Sequence, residues 1–120
     1  MSTIIDIERL LTWAFRDQAV EASSRADPDA VTIYWAVRAL PAHHSNAVIR
    51  HARTGTRPNW QITASKVVSL DGVRQSRQRY VDWVRAMVVL QRSLDGALSS
   101  FRVTGPATDE EPWVRQRIRA

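Results

Sequence analysis

A single amphipathic segment, residues 71–101, constrains the fold of this 120-residue chain more than any other feature. At 100° per residue Arg74, Arg85 and Arg92 lie on one side. The large apolar side chains form a stripe on the other side, made of Tyr80, Trp83, Val84, Met87, Leu90, Leu94, Leu98 and Phe101. Asp71 and Gly72 stand where this helix would begin, and Gly105-Pro106 must follow its end. The rest of the chain then has to pack on the apolar side of one long helix.

The N-terminal sequence predicts a helix ahead of this central one. Thr3 stands at the position of an N-cap and Asp6 at that of a capping box, and both are favourable at the positive end of a helix. Apolar residues then recur at helical spacing from Ile4 to Phe15. We therefore expect a first helix that runs to about Ala22.

A second helix is predicted from Pro28 to Leu40. Asp27-Pro28 combines an N-cap residue with the residue favoured at the first helical position. The segment is apolar nearly all round, which predicts burial between other elements. Thr32 to Trp35 also have high β-propensity, so a strand is the alternative, although the Asp-Pro start favours the helix.

A third, short and basic helix is predicted to end at Gly55, because a glycine directly after a basic last turn is a common helix end. Residues 62–70 have the least distinct pattern, and a helix is predicted there only because the neighbouring segments are predicted to be helical. Residues 103–112 are predicted to be irregular from their Gly, Pro and acidic content. Together these patterns predict an all-α single domain over residues 1–104, a bundle of four to five helices around one long central helix, followed by a partly ordered, irregular C-terminal tail over residues 105–120.

The charge of the chain is basic, with 17 Lys and Arg against 12 Asp and Glu and a net charge of +5. Residues 1–30 carry three basic and six acidic side chains, a net of −3, whereas residues 31–107 carry eleven and three, a net of +8. Interaction of the middle region with a polyanion is therefore compatible with the sequence. Sixteen of the basic residues are Arg, which suits bidentate phosphate contacts but is also what a GC-rich genome encodes.

Composition also predicts where the chain acts. There is no Cys, which excludes a disulfide framework and a thiolate metal site. No apolar run approaches the roughly 20 residues of a membrane span, so no membrane association is expected. The first charged residue is Asp6, which is unlike the basic start of a signal peptide. We expect a cytoplasmic protein.

Three histidines are the candidate metal ligands or catalytic bases. His44 and His51 lie two helical turns apart, too far to share one metal ion without a further ligand, and His43 is expected to be a surface or helix-end residue. No Gly-x-Ser-x-Gly turn and no glycine-rich phosphate loop is present. The sequence therefore predicts no enzyme, no metal and no cofactor.

The best candidate site is a basic helical surface. Guanidinium groups spaced along a helix can contact successive phosphates, and a nearby aromatic such as Trp60 can stack on an unpaired base. The alternative is ordinary solvated arginine. A helix-turn-helix between Ala42 and Val84 would lack its usual short turn. The predicted nucleic-acid-binding residues are Arg50, Arg53, Arg57, Arg74, Arg77, Arg85 and Arg92.

The tail offers a second candidate surface. Trp113 and Ile118 stand in an otherwise charged segment and are predicted to bind a protein partner, with docking of Trp113 on the bundle as the alternative. A homodimer is also compatible with the sequence, because apolar residues from Tyr80 to Phe101 follow a 4-3 spacing that includes the polar Gln91. Packing within the chain is the simpler use of that spacing, so the oligomeric state is left as monomer or homodimer.

Three segments resemble small uncharacterised proteins of bacterial prophage and gene-transfer-agent-like gene blocks: residues 4–17, residues 50–60, and Val103 to Ala107 ahead of Pro112-Trp113. The resemblance covers about a third of the chain, and no functional residue can be carried over from it. It implies phage-type gene control, as in transcription activators or antiterminators. The sequence thus predicts a nucleic-acid-associated regulatory protein. The alternative is a helical adaptor for the transcription machinery or a phage-assembly component.

Overall fold

The fold is predominantly helical with a small parallel sheet. The computed structural model describes residues 2–60 and 70–114. In chain order they form β1 (Thr3–Asp6), α1 (Ile7–Thr12) continuing into a π-helical turn (Trp13–Asp17), α2 (Pro28–Arg38), α3 (Ala42–Thr54), α4 (Leu70–Leu94) and β2 (Phe101–Thr104). Among these described residues no helix has both the length and the apolar character that crossing a bilayer requires.

The long helix is confirmed, and its apolar stripe forms the centre of the core. Met87, Leu90 and Leu94 are 0–1% exposed. The buried faces of the other helices pack around them, through residues such as Leu10 of α1 and Ile33 of α2. The stripe that would have served a coiled coil is thus used inside the chain, where burial of each large side chain contributes about 1.5–3 kcal/mol.

Prediction of a purely all-α fold was wrong at the N-terminus. Residues Thr3–Asp6 form a strand, because Thr, Ile and Ile are β-branched and prefer extended backbone. Asp6, not Thr3, is the N-cap, and its Oδ1 accepts a hydrogen bond from the Arg9 N–H at 2.9 Å. The first helix also ends at Asp17 rather than Ala22, and Ala19 follows with a positive φ of 47°.

The predicted end of the long helix was also wrong. α4 ends at Leu94, and Gly96 then adopts a φ of +88°, a left-handed conformation that glycine allows without strain. Six residues separate α4 from β2, which pairs in parallel with β1 in the register Thr3↔Phe101 to Asp6↔Thr104. Residues 101–104, part of which was predicted to be irregular, are therefore a strand.

Predictions for α2 and α3 were closer. Asp27 caps α2 through a 2.8 Å hydrogen bond from the Asp29 N–H, and Gly55 ends α3 with a φ of 67°. α3 begins at Ala42, earlier than the apolar run alone indicated. α2 is not buried all round, because Trp35 is 64% exposed and Val31 is 40% exposed. Helix prediction for residues 62–70 falls almost entirely outside the described residues.

After β2 the chain runs back along α4. The hydroxyls of Tyr80 and Thr108 lie 2.8 Å apart, and Arg85 donates to Glu110 at 2.5 Å. Trp113 is 9% exposed and lies 6.2 Å from Tyr80 between ring centroids. The segment as far as residue 114 is therefore attached to the long helix.

Candidate nucleic-acid interface

Two of the predicted arginines near the end of α3 are held by carboxylates of the N-terminal region. Arg53 forms a two-point ion pair with Glu21 at 2.7 and 2.5 Å, and Arg57 donates to Glu8 at 2.7 Å. These hydrogen bonds raise the pKa of both guanidinium groups further above their ordinary value. A phosphate that bound Arg53 or Arg57 would compete with an existing partner.

The predicted arginines of α4 differ from one another. Arg85 is paired with Glu110, and the guanidinium of Arg77 lies 5.1 Å above the indole of Trp113 in a cation–π contact. Arg74 and Arg92 are exposed, and no carboxylate in the described part of the chain pairs with them. Arg50 of α3 is exposed in the same way, so three of the seven predicted residues present an unengaged guanidinium.

The charge balance of the described residues also weakens a broad basic face. Residues 2–60 and 70–114 contain thirteen Arg and twelve Asp or Glu, a net of +1. The remaining four positive charges of the chain belong to Lys66, Arg115, Arg117 and Arg119. Long-range attraction of a polyanion by the helical body as a whole is therefore weak, and any binding surface must be local.

Of the two partner-binding residues predicted in the tail, Trp113 is not an exposed anchor. Trp113 packs between Trp60, at 5.6 Å between ring centroids, and Tyr80, and it belongs to the hydrophobic core. This is the arrangement of a segment docked on the bundle. Ile118 lies outside the described residues.

The described residues form a groove of about 890 Å³, which we call the α1–α3 groove. One wall is formed by α1 and the π-helical turn, the other by the C-terminal end of α3, and Trp83 and Met87 of α4 lie at its floor. Its volume is within the range of small-molecule and cofactor sites. Its lining joins apolar and charged side chains: Ile5, Glu8, Arg9, Leu11, Thr12, Trp13, Arg16, Asp17, Val48, His51, Ala52, Gly55, Thr56, Arg57, Trp83 and Met87.

One polar atom of this groove has no partner. Oε2 of Glu8 accepts the hydrogen bond from Arg57, but Oε1 is buried and accepts none from any described residue. A buried carboxylate oxygen without a donor is costly, typically about 1–3 kcal/mol or more.

His51 lines the same groove. Burial, with a further contribution from the positive charge of Arg50, lowers the pKa of His51 from its ordinary value of 6.5. The ring is therefore mainly neutral at neutral pH, and its Nδ1 lies 3.0 Å from the Thr56 hydroxyl. His51 adds an uncharged aromatic surface next to Trp83, at 6.5 Å between ring centroids.

The rim of the groove carries two lightly engaged arginines that sequence reasoning missed. Arg9 is 83% exposed at its side chain and lies 3.9 Å from Asp6, while Arg16 is 55% exposed and contacts its neighbour Asp17 at 3.3 Å. Exposed pairs of this kind contribute little, about 0–1 kcal/mol. Residues 1–30 have a net charge of −3, so charge patterning did not indicate a basic surface there. The seven-residue spacing of Arg9 and Arg16 nevertheless places both on one side of a helix.

The π-helical turn gives this rim its shape. It widens the helix by one residue per turn from Trp13, whose carbonyl accepts the Gln18 N–H at 2.8 Å. Trp13 is partly exposed, lines the groove and packs against Phe101 at 4.9 Å between ring centroids. Trp13 and Arg16, which belong to the same wall, therefore both line the groove.

The other histidines lie in a separate, small cavity of about 90 Å³ beside Asp82 and Arg79. The rings of His43 and His44 stack edge to face at 4.1 Å. Within residues 2–60 and 70–114 no three His, Asp or Glu side chains are grouped in a way that could hold a metal ion.

Comparison of the chain with protein-family models, with curated proteins and with solved structures finds no match.

Proposed function

We propose that the protein binds single-stranded nucleic acid, and that the α1–α3 groove receives an unpaired base. The observation that carries this proposal is a groove of about 890 Å³ whose lining joins the aromatic rings of Trp13 and His51 to the carboxylate of Glu8. This combination offers a base both a stacking surface and a hydrogen-bond acceptor. In a duplex the faces of the bases are stacked and their Watson–Crick edges are paired, so neither is available to a groove on a protein.

The chemistry of the groove fits a nucleobase. Every base has a π-face, and stacking on an aromatic side chain contributes about 1–3 kcal/mol per base. The amino groups of adenine, cytosine and guanine, and the ring N–H of uracil or guanine, are hydrogen-bond donors, and a carboxylate such as that of Glu8 in the groove lining is complementary to them. Arg57 holds this carboxylate in place from its other oxygen.

The rim supplies the contacts for the sugar-phosphate chain. Arg9 and Arg16 are exposed on the same wall and engage only nearby carboxylates. Each phosphate contact releases counterions, so affinity should fall with salt at about 0.7 per contact on a log–log scale for a single strand. Arg115, Arg117 and Arg119 add positive charge in sequence and would extend the same interaction.

A role in gene control of the phage type rests on the sequence resemblance alone and stays a prediction. The α4 line of arginines is the competing surface for nucleic acid. Trp83 and Met87 at the floor of the groove lie on the buried side of α4, whereas Arg74 and Arg92 lie on its exposed side. The two surfaces can therefore be tested separately.

The test is fluorescence anisotropy of labelled single-stranded RNA, single-stranded DNA and duplex DNA over a range of salt concentrations. We expect single strands to bind more tightly than duplex. An R9Q/R16Q variant should lower the salt slope by about 1.4, for two contacts. W13L should weaken binding by about tenfold without changing the slope, since stacking carries no net charge.

The matched control is R74Q/R92Q, which removes the same charge from the other side of α4. We expect it to leave the slope within error of the wild type. If R74Q/R92Q lowers the slope and R9Q/R16Q does not, the groove is not the binding surface. Absence of binding to all three probes at low salt would refute a nucleic-acid function. Circular dichroism of each variant establishes that the fold is retained.

A further inference from the structure

The exposed side of α2 carries an apolar patch that nothing in the groove mechanism uses. Trp35 is 64% exposed and Val31, one turn earlier, is 40% exposed. Of the aromatic residues in the described part of the chain, Trp35 is the one whose exposure is that of a surface residue. Its ring contacts Tyr34 edge to face at 5.1 Å, which holds the indole on the helix surface.

Charges of opposite sign flank this patch. Asp27 lies at the N-terminal end of α2 and Arg38 at its C-terminal end, and both are exposed. At 100° per residue Asp27, Val31, Trp35 and Arg38 fall within about 80° of one another, on one side of the helix. Arg38 has no carboxylate partner within residues 2–60 and 70–114. The α2 patch is therefore acidic at one end, apolar in the middle and basic at the other end.

A surface with this order is complementary to itself when two copies run antiparallel. With a two-fold axis beside residue 33, Trp35 of one copy faces Val31 of the other. Asp27 lies about 9 Å from the axis and Arg38 about 7.5 Å at 1.5 Å per residue, so opposite charges meet within about 1.5 Å of axial offset. A parallel pair would instead place like charges together at both ends.

We propose that the α2 patch is an isologous contact by which two copies of this chain associate, antiparallel, through Val31 and Trp35. One helix face of eleven residues is smaller than a standard stable interface, so the dimer is weak and forms in the micromolar range or above. The proposal is independent of nucleic-acid binding, because Trp35 and Val31 do not line the α1–α3 groove.

Sedimentation velocity over a concentration series measures the association. We expect a monomer–dimer equilibrium that W35A weakens by at least about tenfold, since a central tryptophan is a typical interface hot spot. R38D should also weaken the dimer. D27N removes one charge of the pair but keeps the Oδ1 that caps α2, so its effect on association is separated from an effect on folding.

Orientation is tested by cysteine cross-linking, for which the chain is suitable because it contains no Cys. P28C mixed with A39C should give a disulfide-linked heterodimer, because these positions face each other in the antiparallel pair. Neither variant alone should cross-link, since equal positions lie about 15 Å or more apart along the axis. A monomer at all concentrations, a dimer insensitive to W35A, or cross-linking of P28C alone would each overturn the proposal.

Discussion

Replacement of Trp113 by Ala tests whether the C-terminal segment is part of the folded body or an exposed anchor for a partner. Trp113 is 9% exposed and packs on Trp60, Tyr80 and the guanidinium of Arg77. A tryptophan of about 200 Å² with nine-tenths of its area removed from water contributes about 4.5 kcal/mol at 25 cal/mol per Å². This is an upper estimate, because the unfolded chain already buries part of that area.

We therefore expect W113A to lower the free energy of unfolding by about 3–4 kcal/mol, measured by urea denaturation followed by circular dichroism. The matched control is W35A, measured at a concentration where the protein is monomeric. Trp35 is 64% exposed, so the same calculation gives an upper estimate of about 1.8 kcal/mol, and its removal should cost less than half as much as that of Trp113. A W113A effect no larger than that of W35A would show that Trp113 is not docked in solution, and would return it to the role of a partner anchor.

Four further substitutions test features that shape the fold and the groove. D29A should cost about 2 kcal/mol in urea denaturation, because the Asp29 carboxylate accepts two backbone N–H groups of the α4–β2 turn, each at 2.9 Å. G96A and G55A should each cost about 1 kcal/mol from positive φ, but only G55A should alter nucleic-acid binding, since its Cβ would meet the Arg16 guanidinium at 3.1 Å. Because the pKa of His51 lies below 6.5 in the folded chain, the unfolded chain gains a proton first as pH falls below 6.5, and stability decreases there. H51Q should flatten that decrease in urea midpoints measured above and below pH 6.5, and an unchanged pH dependence would contradict the assignment.

The start of α2 and the end of α3 could be predicted because a single local signal determines each of them. Asp27-Pro28 fixed the start of α2 and Gly55 the end of α3, and both act through hydrogen bonds or φ values within a few residues. The end of α4 was missed although Gly96 is also a local signal, because the apolar spacing of Leu98 and Phe101 continued beyond it. Both side chains still pack on the core, but from the turn and from β2 rather than from the helix.

Strand pairing could not be predicted because β1 and β2 are almost one hundred residues apart in sequence. Each strand has four residues, too short for a clear alternating pattern, and its pairing partner is the other strand. The groove was missed for the same reason, since its walls come from α1 and α3. Periodicity identified the arginines as exposed, but it could not show that Glu21, Glu8 and Glu110 would engage three of them.

The small sheet connects the long helix to the groove. Asp95, just after α4, accepts the Val103 N–H at 3.0 Å, and Gln91 donates to the Val103 carbonyl at 3.0 Å, so side chains of the α4 end satisfy the outer edge of β2. The Val103 N–H and the Arg102 guanidinium lower the pKa of Asp95 from its ordinary value of 3.8, so this carboxylate stays ionised, and the contact intact, to a lower pH than a free Asp would. With β2 fixed in this way, Phe101 is held against Trp13 on the wall of the groove. The parallel strand pair therefore contributes to the proposed site, because it sets the position of the Trp13 ring on which we propose that a base stacks.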